Sequence, residues 1–432
     1  MTNLTSNEAW KKIIEKYDIV NKIKEKGQFQ IKSKQIKEFR EPRLMAKWDS
    51  SESLPSILKK NNINILPNSR SSYVLSDFQL YEKIPDLTEQ VTEMKKVDIP
   101  DYETIDIENI TTEANAINLL TLSNILDDFL GEENNVQTFN GRMGTGKFNF
   151  FVDTKRGKEQ IFVNNAQCEI DAGFENEESV VIMEAKNVVY PDFHVRQLYY
   201  PYRLWKKRVR KPIRLVFSVY SNMIFRLFEY EFESLKDYSS IRLIKEKNYS
   251  LQDTNISREE LLEVYQITRI KTDDNMDYND DVPFVQANNF ERVISLLEHL
   301  YEHSMTVEEV AELMQFKTRQ SDYYFNAGKY LGLFEKVRDE NTDTIVMQLT
   351  SLGRKVYKLN YKARQLKLVE LILEHKIFNE LFIYTYNNNK LPSKELVMRK
   401  MREYNVCNEP QIARRASSVI SWIKWIFNLP KV

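Results

Sequence analysis

Four short runs between residues 148 and 221 constrain this chain more than any other feature: FNFFVDT, KEQIFVNNAQCEID, SVVIMEAKNVVY and PIRLVFSVYS. Each is rich in Val, Ile or Phe and bounded by Gly, Asn or charged turns, so they read as strands of one mixed sheet. Ahead of them, TTEANAINLLTLSNILDDFLG sets Ala114, Ile117, Leu120, Ile125 and Phe129 at helical intervals. Thr111 or Thr112 can cap its start, and Gly131 ends it. Residues 105–270 therefore read as helix, strands, helix, strand: a compact core in an α/β (mixed α+β) protein.

At 432 residues the chain needs more than one core. Residues 1–104 mix a basic helical start with FREPRLMAKWDSSESLPSILKKNN, where Pro42, Pro55 and the serines break any long element; we assign this N-terminal region to DNA recognition. Residues 271–287 read as an acidic linker around TDDNMDYNDDV. Its spaced acids imitate a calcium loop, but Tyr278 stands where that loop needs Gly and Phe284 where it needs a bidentate Glu. From 288 to 432 the pattern is helical. FERVISLLEHLYEH, VEEVAELMQF and RQSDYYFNAGKYLGLFEK precede two strand-like pieces, FEKVRD and TIVMQLT, an order that resembles a winged helix-turn-helix with residues 318–333 as recognition helix. LKLVELILEH, SKELVMRKMREY and PQIARRASSVISWIKWIFN suggest a second, degenerate copy, hence a tandem arrangement.

The formal net charge is only -1, so affinity for a polyanion must come from local clustering. Cys168 and Cys407 match no ligand spacing, which argues against a disulfide framework and a Cys-based zinc site and suits a reducing cytoplasm. The opening MTNLTSNEAWKKIIEKY lacks the features of a signal peptide, and no apolar run is long enough for a membrane span. A cytoplasmic protein with no membrane association is expected.

Phosphodiester hydrolysis needs an activated water and neutralisation of the charge on phosphate and leaving oxygen; a divalent cation held by carboxylates supplies both. CEIDAGFENEESVVIMEAKN offers Asp171 at the end of one strand, a polar turn of about eight residues, then Glu184 and Lys186 in the next. Strand side chains alternate, so Glu184 and Lys186 share a face and Ala185 takes the other. A solvent-facing Glu–Lys pair on an edge strand is the plain alternative.

Asp171 followed by Glu184-Ala185-Lys186 resembles the PD-(D/E)xK nuclease signature, with Ile170 where the family's Pro often stands. The resemblance implies a restriction-endonuclease-like mixed sheet flanked by helices, with Asp171 and Glu184 as ligands of Mg2+ and Lys186 orienting or deprotonating the water. It also implies Gln197 as a further site residue, from the helix after the E-x-K strand, and Glu113 as an extra acid from the helix before the sheet. Glu169 is an alternative accessory acid. REPRLMAKWD, GRMGTGKFNF, QCEIDAGFE, MEAKN and RQLYYPYR together resemble a group of bacterial type II restriction enzymes with a C-terminal winged-helix part.

Downstream, no acid occurs from Phe193 to Phe217, while Arg196, Arg203, Lys206, Lys207, Arg208, Arg210, Lys211 and Arg214 do. Interleaved with Tyr and Trp, they read as a phosphate-gripping face. Arg142 and Lys147 could add DNA contacts. Arg319, Gln320, Ser321 and Tyr324 are candidates for base or phosphate contact in the first winged unit, and Gln411, Arg414 and Arg415 in the second.

Two motifs are decoys. GRMGTGKF has P-loop spacing, but Phe148 replaces the Ser or Thr and a strand follows it, so no helix N-terminus cradles a phosphate. His299, Glu302 and His303 spell H-x-x-E-H, but the helix is accounted for as part of the winged bundle. A lone His194 carries little weight.

The expectation is a cytoplasmic type II site-specific endonuclease, cutting double-stranded DNA with Mg2+ to leave 5'-phosphates, acting as a homodimer, with a cognate DNA methyltransferase as genetic partner. The alternatives are a repair or modification-dependent nuclease of the same chemistry, and a non-catalytic winged-helix DNA-binding regulator.

Overall fold

A computed structural model of the chain describes residues 4–87, 91–93, 102–107, 109–271, 283–315, 318–339 and 343–431. It is a mixed α/β structure, with 17 α-helices and several sheets among the described residues. The acidic linker's residues 272–282 lie outside them.

The central sheet runs in the order Val91–Glu93, Ile241–Ser250, Ile224–Phe232, Ile213–Ser221, Val180–Lys186, Gln167–Glu175, Val136–Gly144. The strand Val180–Lys186 is buried along its whole length, as its apolar run demands. It pairs antiparallel with Gln167–Glu175 and parallel with Ile213–Ser221. The parallel step needs a crossover, which the helix Arg196–Trp205 supplies. Side-chain alternation then divides the layers: Val181, Met183 and Ala185 pack toward Ile117, Leu120 and Phe129, whereas Ile182 joins Leu198 and Tyr199. The helix before the sheet breaks in two, Glu113–Leu122 and Ile125–Leu130, because Asn124 takes a left-handed conformation (φ 57°). Thr112 is the cap, accepting from the Asn115 N–H at 3.1 Å, and Ala114 is exposed instead of buried.

Not every expected strand joins this sheet. Lys147–Thr154 and Gly157–Asn164 form a hairpin in a separate five-stranded sheet, beside Asn64–Ser69, Ser72–Ser76 and Phe29–Lys32. The run KEQIFVNNAQCEID is cut at Asn165, whose φ of 53° is one that Asn tolerates, and the chain crosses to the central sheet at Gln167. The N-terminal region is accordingly better ordered than its broken sequence implies. Its core gathers Trp10, Ile13, Ile36, Leu58 and Leu75, and Thr5 and Glu8 close a capping box on the helix Ser6–Tyr17.

Beyond residue 288, the helices Phe290–Glu302, Val307–Leu313 and Thr318–Tyr330 precede a hairpin of Phe334–Arg338 and Ile345–Leu349. Among the described residues no strand follows Leu349, so the segment expected to be a second winged unit is purely helical: Tyr361–Leu373, Lys376–Asn388, Lys394–Glu403 and Glu409–Asn428. Its sequence has no Val- or Ile-rich pair of runs from which to build a second hairpin. No described helix is long and apolar enough to cross a membrane.

Three parts of the chain meet at one short segment. Ser50 donates to Asp192 Oδ1 at 2.8 Å, Ser50 N–H donates to Gln315 Oε1 at 2.9 Å, and Arg292 pairs with Glu52 at 2.6 Å.

Candidate active site

Asp171 lies in the middle of its strand, not at the end, and the turn between the two strands takes only residues 176–179. The strand extends because Ala172, Gly173 and Phe174 continue the ladder; a Cβ on Gly173 would sit 2.1 Å from the Phe139 ring. That ladder ends at Met183↔Ala172. One step further, the Ala185 N–H donates to Asp171 Oδ2 at 2.9 Å, so the carboxylate is held across the two strands.

Glu184 and Lys186 do share a face. Lys186 Nζ stands 2.6 Å from Glu184 Oε1, donates to the Ala185 carbonyl at 3.1 Å and lies 3.9 Å from Glu113 Oε1. Gln197 Nε2 also donates to Glu184 Oε1. Asp171, Glu184, Lys186, Gln197 and Glu113, read from separate elements, thus line one cleft of about 830 Å³. The pair is withdrawn from water, so it is not the solvent-facing alternative: Glu184 is 5% exposed and Lys186 9%.

Around Lys186 several acids face one ammonium. Burial raises the Glu184 carboxyl to about 8, with the nearby Asp171 and Asp49 adding to the rise. Glu113 is also raised by burial. Burial acts to lower Lys186, but Glu184, Glu113, Asp171 and Asp49 surround it and hold the ammonium charged, well above its ordinary range.

Asp49 is the residue that sequence reading missed. It comes from the N-terminal region and is itself buried; its main-chain carbonyl accepts the His194 N–H at 2.9 Å. Its Oδ1 is buried with no hydrogen-bond partner among the described residues, as is Gln197 Oε1. Arg43, Lys47 and Arg70 line the same cleft. The available signal was the phrase REPRLMAKWD, quoted for its resemblance but given no role.

The basic stretch does not form one face. Arg203 is buried, donating to the Asn149 carbonyl at 3.0 Å and to the Tyr199 hydroxyl at 2.7 Å, with its guanidinium 4.6 Å from the Phe148 ring. Arg214 is locked to Glu229 and Glu132, and Lys211 pairs with Glu175. These three serve the fold, and the acids missing from the stretch come from elsewhere in the chain. Arg196 lines the cleft, Arg142 lines it while paired with Glu169 at 3.1 Å, and Lys147, Lys206, Lys207, Arg208 and Arg210 are exposed.

Among the winged-helix candidates, Tyr324 and Ser321 are buried, with Arg292 against the Tyr324 ring, so neither presents itself to a duplex. Gln320 is half-buried, and Arg319 is exposed. Gln411 and Arg414 are exposed and Arg415 is buried. The decoys remain decoys. A strand follows Thr145–Gly146, and His299 is buried, its Nε2 3.2 Å from the Asn187 carbonyl, while Glu302 and His303 face outward. His194 is buried too, its Nδ1 3.2 Å from the Tyr238 hydroxyl.

No group of three or more His, Cys, Asp or Glu among the described residues is gathered into a ready metal cage. An all-oxygen set does line the cleft, with two orphaned buried oxygens, which suits a hard cation that keeps much of its own water and uses one or two carboxylates.

Three family profiles match the chain, each described as a domain of unknown function: DUF6996 over residues 7–75, DUF6997 over 76–250 and DUF7226 over 292–431. The first junction falls inside the strand Ser72–Ser76, well ahead of residue 104, and the second profile holds Glu113, Glu169, Asp171 and Glu184, while Glu41 and Asp49 of the cleft fall in the first. No curated protein and no solved structure matches.

Proposed function

We propose that this protein is a magnesium-dependent endonuclease acting on double-stranded DNA, of the restriction-endonuclease-like kind that its Asp171 and Glu184-x-Lys186 pattern resembles. The observation that carries the reading is the meeting of Asp171, Glu184, Lys186 and Gln197 in one cleft, with Glu184, Glu113, Asp171 and Asp49 all acting on the Lys186 ammonium. The order helix, three strands of the central sheet, crossover helix, fourth strand supports it, since the resemblance calls for that order.

Magnesium, held by Asp171 and Glu184, would supply charge neutralisation at the phosphate and a more acidic water. The chain's own residues do the rest. Lys186, kept protonated by the acids around it, offsets phosphate charge and orients the attacking water. Gln197 holds Glu184 by one amide atom, leaving its other amide atom, buried and unpartnered, to accept from that water. Asp171 is tied to the strand that carries Glu184 by the Ala185 N–H, at 2.9 Å. Arg43, Lys47, Arg70, Arg142 and Arg196 rim the cleft and suit phosphates on either side of the scissile one. The finer reading is a type II restriction enzyme, working as a homodimer beside a cognate methyltransferase and leaving 5'-phosphate ends. The three-helix and hairpin segment from Phe290 to Leu349 would be its winged helix.

The test is incubation of the purified protein with unmodified phage DNA and magnesium, repeated with Lys186→Ala. Discrete bands lost in the variant support restriction, and a smear points to a repair or nonspecific nuclease. Intact DNA with retarded mobility favours a non-catalytic binding protein.

A further inference from the structure

Gln411, Arg414 and Arg415 belong to a different helix from Arg319, and the sequence sets them in separate units, yet they converge. The helices Thr318–Tyr330 and Glu409–Asn428 enclose a pocket of about 300 Å³, lined by Arg319, Tyr323, Asn326, Gln411, Arg414 and Arg415. Among the described residues no Asp or Glu lines it. The nearest acids on those helices are engaged elsewhere: Asp322 with Lys336 at 3.1 Å and Glu409 with Arg402 at 2.7 Å.

The arginines are also organised. The guanidinium groups of Arg319 and Arg414 lie 5.7 and 5.2 Å from the centroid of the same Tyr323 ring. With the Gln286 amide turned so that its oxygen faces Arg414, that oxygen lies 3.0, 2.7 and 2.9 Å from Nη1, Nη2 and Nε, a neutral neighbour that leaves the guanidinium charge in place. Like charges drawn together around an aromatic ring repel, and their planar forks match the oxygens of a phosphate. Neutral donors on Gln411, Asn326 and Tyr323 complete the lining.

We infer that this pocket binds a phosphoryl group, either one phosphate of a nucleic-acid backbone or the phosphate of a free nucleotide. It lies apart from the acid–lysine cleft and does not depend on cleavage chemistry.

The experiment uses the full chain in EDTA, so that no DNA is cut. Anisotropy with two labelled duplexes of unrelated sequence is measured across a salt series, and thermal stability is measured with added pyrophosphate or adenosine monophosphate. Arg319→Gln alters an exposed side chain and keeps the fold; Arg414→Gln is the second variant and Arg319→Lys the conservative control. If the phosphate is a duplex's, Arg319→Gln weakens both duplexes alike, on the order of tenfold, and lowers the salt slope by about 1, while Arg319→Lys retains most of the affinity. If it is a nucleotide's, duplex binding is unchanged, and the stabilisation by pyrophosphate or adenosine monophosphate seen in the unmodified chain is lost in the variants. Equal duplex binding and equal response to both small ligands in all four proteins overturns the inference. Because nothing is cleaved, that outcome is distinct from a failure of the nuclease reading, which Lys186→Ala decides.

Discussion

Arg214 and Lys186 lie on adjacent strands of one sheet, both largely removed from water, and their surroundings are opposite. Arg214 is closed on itself: Nε and Nη2 grip Glu229 at 2.6 and 2.7 Å, and Nη1 reaches the Leu130 carbonyl at 2.7 Å and Glu132 at 3.0 Å. Lys186 is one ammonium facing Glu184, Glu113, Asp171 and Asp49, with unpartnered oxygens on Asp49 and Gln197 in the same cleft. Both are buried charge. The first satisfies its donors and acceptors and so reads as scaffold, while the second stays short of positive charge, the condition in which a cation and an activated water are accommodated.

The largest test of that contrast is Lys186→Ala. Cleavage per folded molecule is expected to fall on the order of 10²–10³-fold, measured as linearised plasmid per unit time, with the fold intact by circular dichroism. Arg214→Ala should do the reverse, costing about 3 kcal/mol in urea denaturation because Glu229 is left buried and unpaired. If Arg214→Ala instead abolished cleavage at unchanged stability, the division between scaffold and site would be broken.

The pH dependence sharpens the comparison. Burial raises Glu184 from an ordinary 4.5 to about 8, so between those values the folded chain keeps a proton that the unfolded chain has released. Its contribution therefore lowers stability as pH rises through that window. Glu184→Gln in EDTA is expected to match the unmodified chain near pH 4 and to melt higher above pH 8; a gain of equal size at both pH values would refute the assignment.

Smaller effects follow. Asp49→Asn should raise the magnesium concentration needed for half-maximal stabilisation by about tenfold, read from melting curves across a magnesium series, while leaving the metal-free fold at least as stable. Arg142→Gln removes an exposed pair with Glu169 and should change stability by under about 1 kcal/mol in the same urea assay.

The cleft was legible where its chemistry is local. Two side chains two residues apart on a strand share a face whatever surrounds them, so Glu184 and Lys186 were readable as a pair, whereas Gln197 came from the resemblance and not from a pattern of its own. The basic stretch misled because counting charge in a window says nothing of partners brought from elsewhere: Arg214 meets Glu132 and Lys211 meets Glu175 only in the folded chain.

By itself, then, the sequence determined that the apolar runs Val180–Lys186 and Ile213–Ser221 become strands and that Glu184 shares a face with Lys186, because those depend on periodicities a few residues long. Only the tertiary structure decided that the hairpin Lys147–Asn164 leaves the central sheet, that Asp49 enters the cleft from the N-terminal region, and that Arg319 and Arg414 share one aromatic ring. Each of these joins residues far apart in the chain, and the free energy that selects them is burial and charge balance over the whole molecule, which no short stretch of residues carries.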